Sequence, residues 1–162
     1  MAIAADNSSD LYIDGKLVPG GSGRYPTINP ATEEVLGTAA DGDAADMERA
    51  IGAARRAFDT TDWSTDTELR VRCIRQLRDA MKANIEELRE LTIAEVGAPR
   101  MLTAMAQLEG PVDDLSFCAD TAETYEWRQD LGIASPMGIK TRRTIAREAV
   151  GVVGAITPWN FP

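Results

Sequence analysis

The run VGVVGAIT, residues 150–157, is continuously apolar and β-branched over most of its length. Such a run suits a strand covered on both faces, as in a parallel sheet flanked by helices. A strand of that kind needs neighbours, and no later strand follows within the 162 residues to provide a parallel sheet. The run leads into Pro158, Trp159, Asn160, Phe161 and Pro162, whereas free chain ends are ordinarily polar surface segments. The sequence therefore reads as the start of an α/β unit that is interrupted here.

Upstream of this run the hydrophobic period changes several times. Residues 1–10 read as an unstructured tail. LYIDGKLV, residues 11–18, places Asp14-Gly15 between two β-prone runs, the signature of a tight hairpin turn. The Gly/Ser-rich connector PGGSGRYP follows, then an extended segment interrupted by Asn29-Pro30. From Asp43, a predicted cap, Met47, Ala50, Ile51, Ala54 and Phe58 recur at helical steps. Thr65-Asp66-Thr67-Glu68 reads as a capping box opening a second helix with Leu69, Cys73, Leu77 and Met81 on its face. A third helix restarts at Asn84 and runs through Val96, where Gly97 and Pro99 stop it. A fourth begins near Pro111, its face carrying Leu115, Cys118, Ala119, Ala122 and Tyr125. Beyond Gly132 the helical period ends. Residues 133–149 read as an exposed two-stranded arm bearing Arg142, Arg143 and Arg147, either a solvated edge or a contact with a partner subunit.

Composition narrows the chemistry. The 26 acidic residues against 17 basic give a formal charge of −9, a field that repels phosphate backbones and argues against nucleic acid as a partner. No stretch reaches the roughly 18 consecutive apolar residues of a membrane span, and MAIAADNSSD has no basic leader region, so no membrane partner and a cytoplasmic location are expected. Histidine is absent, which excludes Ser-His-Asp and Cys-His nucleophile systems and imidazole metal sites within these residues. Cys73 and Cys118 are too few for a disulfide framework or metal knuckle and read as small buried hydrophobes.

Two features near residue 160 bear on function. Gly151 and Gly154 lack the third glycine and the helix start that a dinucleotide fingerprint demands, and close backbone approach within a packed strand accounts for them better. The Pro158-Trp159-Asn160 turn is more informative, because loops at the carboxyl ends of strands line the ligand crevice of open α/β sheets. The Asn160 amide can donate to a developing oxyanion; it can equally be a turn or helix-cap residue.

GVVGAITPWNFP closely resembles the first cofactor-domain strand of the NAD(P)-dependent aldehyde dehydrogenase superfamily. LYIDGKLV, INPATEEVLGTAADGDAADMERAIGAARRAF and VGAPR resemble successive landmarks of that family's amino-terminal region. The resemblance runs from about Leu11 to Pro162. It implies the amino-terminal part of the aldehyde dehydrogenase-like α/β fold: an edge hairpin and helical part over 11–132, an oligomerisation arm over 133–149, and the first strand and turn of the cofactor-binding sheet over 150–162. It implies an enzyme that oxidises an aldehyde to a carboxylic acid through a cysteine thiohemiacetal, with NAD or NADP as cofactor, NAD favoured, and a homo-oligomeric assembly. Ile156, Thr157, Pro158 and Trp159 match residues lining the cofactor cleft, and Asn160 matches the asparagine that stabilises the oxyanion. Some members bind a monovalent cation near the positions of Thr27 and Ile28, with a carboxylate near that of Glu95; no metal site is assigned here. The nucleophile and general base fall outside these residues, so the chain alone is expected to be inactive. The other reading is a non-catalytic helical interaction or scaffold module.

Overall fold

A computed structural model describes residues 7–161. Two positive-φ residues, Asp14 at 53° and Gly15 at 76°, close a tight turn between β2 and β3. These strands, Leu11–Ile13 and Lys16–Val18, pair antiparallel with Leu11 opposite Val18, as the Asp-Gly signal predicts. A separate sheet has the order β1-β5-β4, with β1 at Asn7–Ser9, β4 at Arg24–Ile28 and β5 at Val35–Ala40. In it β4 runs antiparallel to β5 and β1 runs parallel to it. The expected unstructured tail is thus corrected at residues 7–9, where backbone pairing to Gly37, Thr38 and Ala39 orders the chain. Residues 1–6 of that expected tail, and Pro162, lie outside the described residues.

Asp43 caps α1, Ala44–Thr60, with its Oδ1 accepting from the Asp46 amide at 2.9 Å. Asp46 returns the contact, accepting from the Asp43 amide at 3.0 Å and from the Gly21 amide at 2.8 Å. One buried carboxylate therefore fixes both the helix start and the Gly/Ser-rich connector. Asp66 caps α2, Thr67–Ala83, accepting from the Leu69 amide at 2.9 Å, so the cap lies one residue later than a box led by Thr65.

Asn84 begins α3, Ile85–Val96, but makes no side-chain cap; its amide donates back to the Ala80 carbonyl at 2.8 Å. Gly97 ends α3 in the left-handed region, at φ 71°. A short α4, Arg100–Thr103, precedes α5, Glu109–Thr124, which carries Pro111 in its first turn.

The core lies among the helices, where Val71, Ala94, Ala98, Leu108, Val112 and Ala119 are buried. α2 packs along α5, and exposed ion pairs from Arg75 to Asp120 at 3.0 Å and to Glu123 at 2.7 Å join their rims. Pairs so exposed contribute little beyond orientation. The buried stripe of α5 runs through Val112 and Ala119, which leaves Cys118 exposed and Cys73 half-buried. The expectation that both cysteines are buried is corrected accordingly: a one-residue step along a helix rotates a side chain by about 100° and takes Cys118 off the face that Ala119 occupies.

The arm is an antiparallel hairpin of β6, Arg128–Ala134, and β7, Thr141–Ala146, joined by a 3-10 turn at Pro136–Gly138. It begins about five residues before the expected 133. Residues 150–157 form no strand ladder among the described residues, against the expectation of a buried strand. A strand of that type is stable only between neighbours that bond both its edges, and here Val150, Val153 and Ile156 are exposed.

Candidate active site

Arg89, on α3, ties the helices that carry the loop before α5. It is buried, at 5% exposure, and donates Nη1 to the Thr103 hydroxyl at 3.0 Å, Nε to Glu86 at 3.2 Å and Nη2 to Glu109. The Glu109 hydrogen bond raises the guanidinium above its ordinary basicity, burial opposes it, and Glu86 adds to the rise. Thr103 is fully buried, and its hydroxyl donates to the Arg100 carbonyl at 2.7 Å. Three helices, α3, α4 and α5, are thereby tied at one point.

The chain turns sharply between α4 and α5. The Gly110 amide donates to the Met105 carbonyl at 2.6 Å, and a Cβ at residue 110 would lie 2.5 Å from that oxygen, so only glycine fits. The Gln107 amide closes on the Leu102 carbonyl at 3.0 Å. This tight loop leaves the Gln107 side chain buried, with its Nε2 donating to the Asn160 backbone carbonyl at 3.1 Å.

The five expected site residues fall together on one exposed segment. Ile156, Thr157 and Pro158 belong to no helix or strand, and Trp159 and Asn160 form a turn. Ile156 is fully exposed and Trp159 is 87% exposed. Among the described residues no backbone amide from 148 to 161 donates to another backbone carbonyl, so this strip presents free donors and acceptors alongside apolar side chains. Gln107 was not singled out by the sequence. A lone glutamine in a helix-to-helix loop carries no periodic or motif signal, and only the fold brings it to Asn160. Cys73 and Cys118 sit on α2 and α5, away from this turn in the element order. Among the described residues no group of three His, Cys, Asp or Glu side chains is placed to hold a metal ion.

The edge hairpin, the helical layer, the β-arm and the turn-bearing segment follow one another in this order along the chain. The sequence profile described as "Aldehyde dehydrogenase family" matches residues 17–162, and the chain belongs to that family. It is 35% identical over 167 residues to aminoaldehyde dehydrogenase 1, peroxisomal, of Pisum sativum, a match covering 100% of this chain and 33% of that protein. It is likewise 35% identical over 157 residues to 3-succinoylsemialdehyde-pyridine dehydrogenase of a Pseudomonas species, covering 94% of this chain and 30% of that protein. Among solved structures it superposes on a double mutant of Staphylococcus aureus betaine aldehyde dehydrogenase in complex with NAD+, with TM-score 0.87, 32% identity and coverage of 100% of this chain and 32% of that one. The chain thus spans about a third of the length of the relatives it matches.

Proposed function

We propose that these residues form the amino-terminal portion of an NAD(P)-dependent aldehyde dehydrogenase that oxidises an aldehyde to a carboxylic acid through a cysteine thiohemiacetal. The observation that carries this reading is the Asn160 turn, displayed on an open strip and held by Gln107, within a chain that matches the family over residues 17–162. In this account the Asn160 side-chain amide donates to the oxyanion that develops as the thiolate adds to the carbonyl. A donor set in place before reaction stabilises that charge without reorganising solvent.

Ile156, Thr157, Pro158 and Trp159 fit a dinucleotide. The strip combines unpaired backbone polar groups, suited to ribose hydroxyls and a carboxamide, with the broad apolar faces of Ile156 and Trp159. When bound, that group supplies the hydride acceptor. NAD is favoured over NADP, supported by the NAD+ complex among the matched structures. The nucleophile and the general base come from residues outside this chain: Cys73 is half-buried in α2, Cys118 lies on the exposed side of α5, and neither shares an element with Asn160. The arm over 133–149 serves contact between subunits of a homo-oligomer, supported by its exposed Ile133, Met137 and Ile139. Among the described residues no helix is long and apolar enough to cross a membrane, and the proposed location is the cytoplasm.

The test is aldehyde-dependent formation of reduced cofactor, followed by absorbance. The 162-residue chain alone is expected to give none, and the protein in which it continues into downstream sequence is expected to turn over. Turnover by the short chain would overturn its assigned dependence on outside residues. An inactive longer protein would favour the interaction-module reading.

A further inference from the structure

The geometry points to Gln107 as the positioning residue for Asn160. This rests on the reading of Asn160 as the oxyanion donor and adds the means by which the rest of the chain aims it. The two residues are 53 apart in sequence, and the Gln107 Nε2 to Asn160 carbonyl contact of 3.1 Å joins them. Among the described residues it is the one side-chain hydrogen bond that reaches the Trp159-Asn160 turn. The turn is otherwise open, with Trp159 at 87% exposure. Fixing the carbonyl holds the peptide plane after Asn160, including its Cα, and so restricts where the side-chain amide can lie.

Gln107 is itself held rigidly. It is 8% exposed, its own amide is bonded to the Leu102 carbonyl, and the loop beyond it is closed by the contact of Gly110 with Met105. On the preceding α4, buried Thr103 is held by Arg89. A positioning contact built on such a base has little freedom to drift. The other end of the Gln107 amide, Oε1, is buried and has no partner among the described residues. Leaving a buried carbonyl oxygen unpaired is costly, and a leucine of similar size would avoid that cost. The residue thus makes poor sense as packing and good sense as a donor to the turn. Its orientation is also fixed, because the reverse amide would set two oxygens against each other.

The experiment uses the protein in which this chain continues into its downstream sequence, with Gln107→Leu, Gln107→Glu, Asn160→Ala and the Gln107→Leu/Asn160→Ala double variant. Misplacing a catalytic group by about an ångström costs up to about 100-fold, and Gln107→Leu, which frees the turn without removing Asn160, is expected to lower kcat about tenfold with little change in KM. In the Asn160→Ala background Gln107→Leu is expected to cost nothing further, because it acts through the amide already removed. Gln107→Glu cannot donate when ionised, so its activity relative to the unaltered protein is expected to rise as pH falls and the buried carboxyl takes up a proton. Full kcat in Gln107→Leu, or a loss that multiplies with that of Asn160→Ala, would overturn the inference. A second readout needs no turnover: chymotryptic cleavage after Trp159 is expected to accelerate several-fold in Gln107→Leu at unchanged melting temperature, and unchanged cleavage would equally overturn it. Faster cleavage in a protein without aldehyde oxidation would uphold the tether and sink the catalytic reading of Asn160.

Discussion

Gly97→Ala isolates the join between the edge sheet and the helical layer. Gly97 ends α3 at φ 71°, and an added Cβ would sit 3.0 Å from the Pro30 Cγ, in the turn that follows β4. Two costs follow. Holding an L-residue in the left-handed region costs roughly 1–2 kcal/mol. The Pro30 contact is closer than ordinary van der Waals distance, so the 29–30 turn must shift by a few tenths of an ångström, adding about 0.5–1 kcal/mol. The sum, about 2 kcal/mol, corresponds at an m-value of about 2 kcal/mol/M to a fall of about 1 M in the urea midpoint. Urea unfolding followed by far-ultraviolet circular dichroism measures it. Adding Pro30→Ala should recover the steric part and leave the conformational part. The opposite sign is the sharp refutation: a glycine in an ordinary right-handed conformation gains about 0.4–1 kcal/mol on change to alanine. A midpoint that rises would mean that the left-handed cap and the Pro30 contact are both misassigned.

Asp46 predicts an acid dependence. Hydrogen bonds from the Gly21 and Asp43 amides hold its carboxyl below the usual carboxylate range, burial opposes them, and Arg49 adds to the lowering. A group whose folded-state pKa is depressed contributes stability that is complete above the unfolded value of about 3.9 and is lost as pH falls through the folded value. The urea midpoint should therefore drop as pH falls below about 4, and Asp46→Asn should flatten that drop; an unchanged acid limb would refute the assignment. Val112→Ala, at a site 2% exposed, removes two methyl groups at about 0.8 kcal/mol each plus a cavity term, about 2 kcal/mol in all by the same unfolding assay. A loss under about 0.5 kcal/mol would place Val112 outside the core.

Local signals were the legible ones. Asp43, Asp66, Gly97 and Asp14-Gly15 act within a few residues of themselves, and α1, α2, the end of α3 and the β2–β3 turn follow from them. Asp46 was missed because its partner Gly21 is 25 residues away. β1 was hidden for the same reason: residues 7–9 are polar, with no alternation to read, and are ordered only by parallel pairing to β5. The run 150–157 carries the composition of a buried strand, yet composition cannot supply the neighbours that a ladder needs. Cys118 was assigned to the wrong side of α5 because its neighbour Ala119 is the residue that fills the interface. At the site, the motif ending in Asn160 is visible, while its contact with Gln107 depends on a loop closed by the Gln107–Leu102 bond and the close approach of Gly110 to Met105.

Asn160 is the proposed oxyanion donor in aldehyde oxidation. The direct measurement is the steady-state rate of reduced-cofactor formation by the protein containing this chain, unaltered and as Asn160→Ala, with cofactor binding titrated in parallel. Removal of one such donor lowers kcat by roughly 10²- to 10³-fold, and Asn160→Ala is expected to lose that much with cofactor affinity retained. A variant that keeps its kcat, or one whose loss tracks weakened cofactor binding, would contradict it.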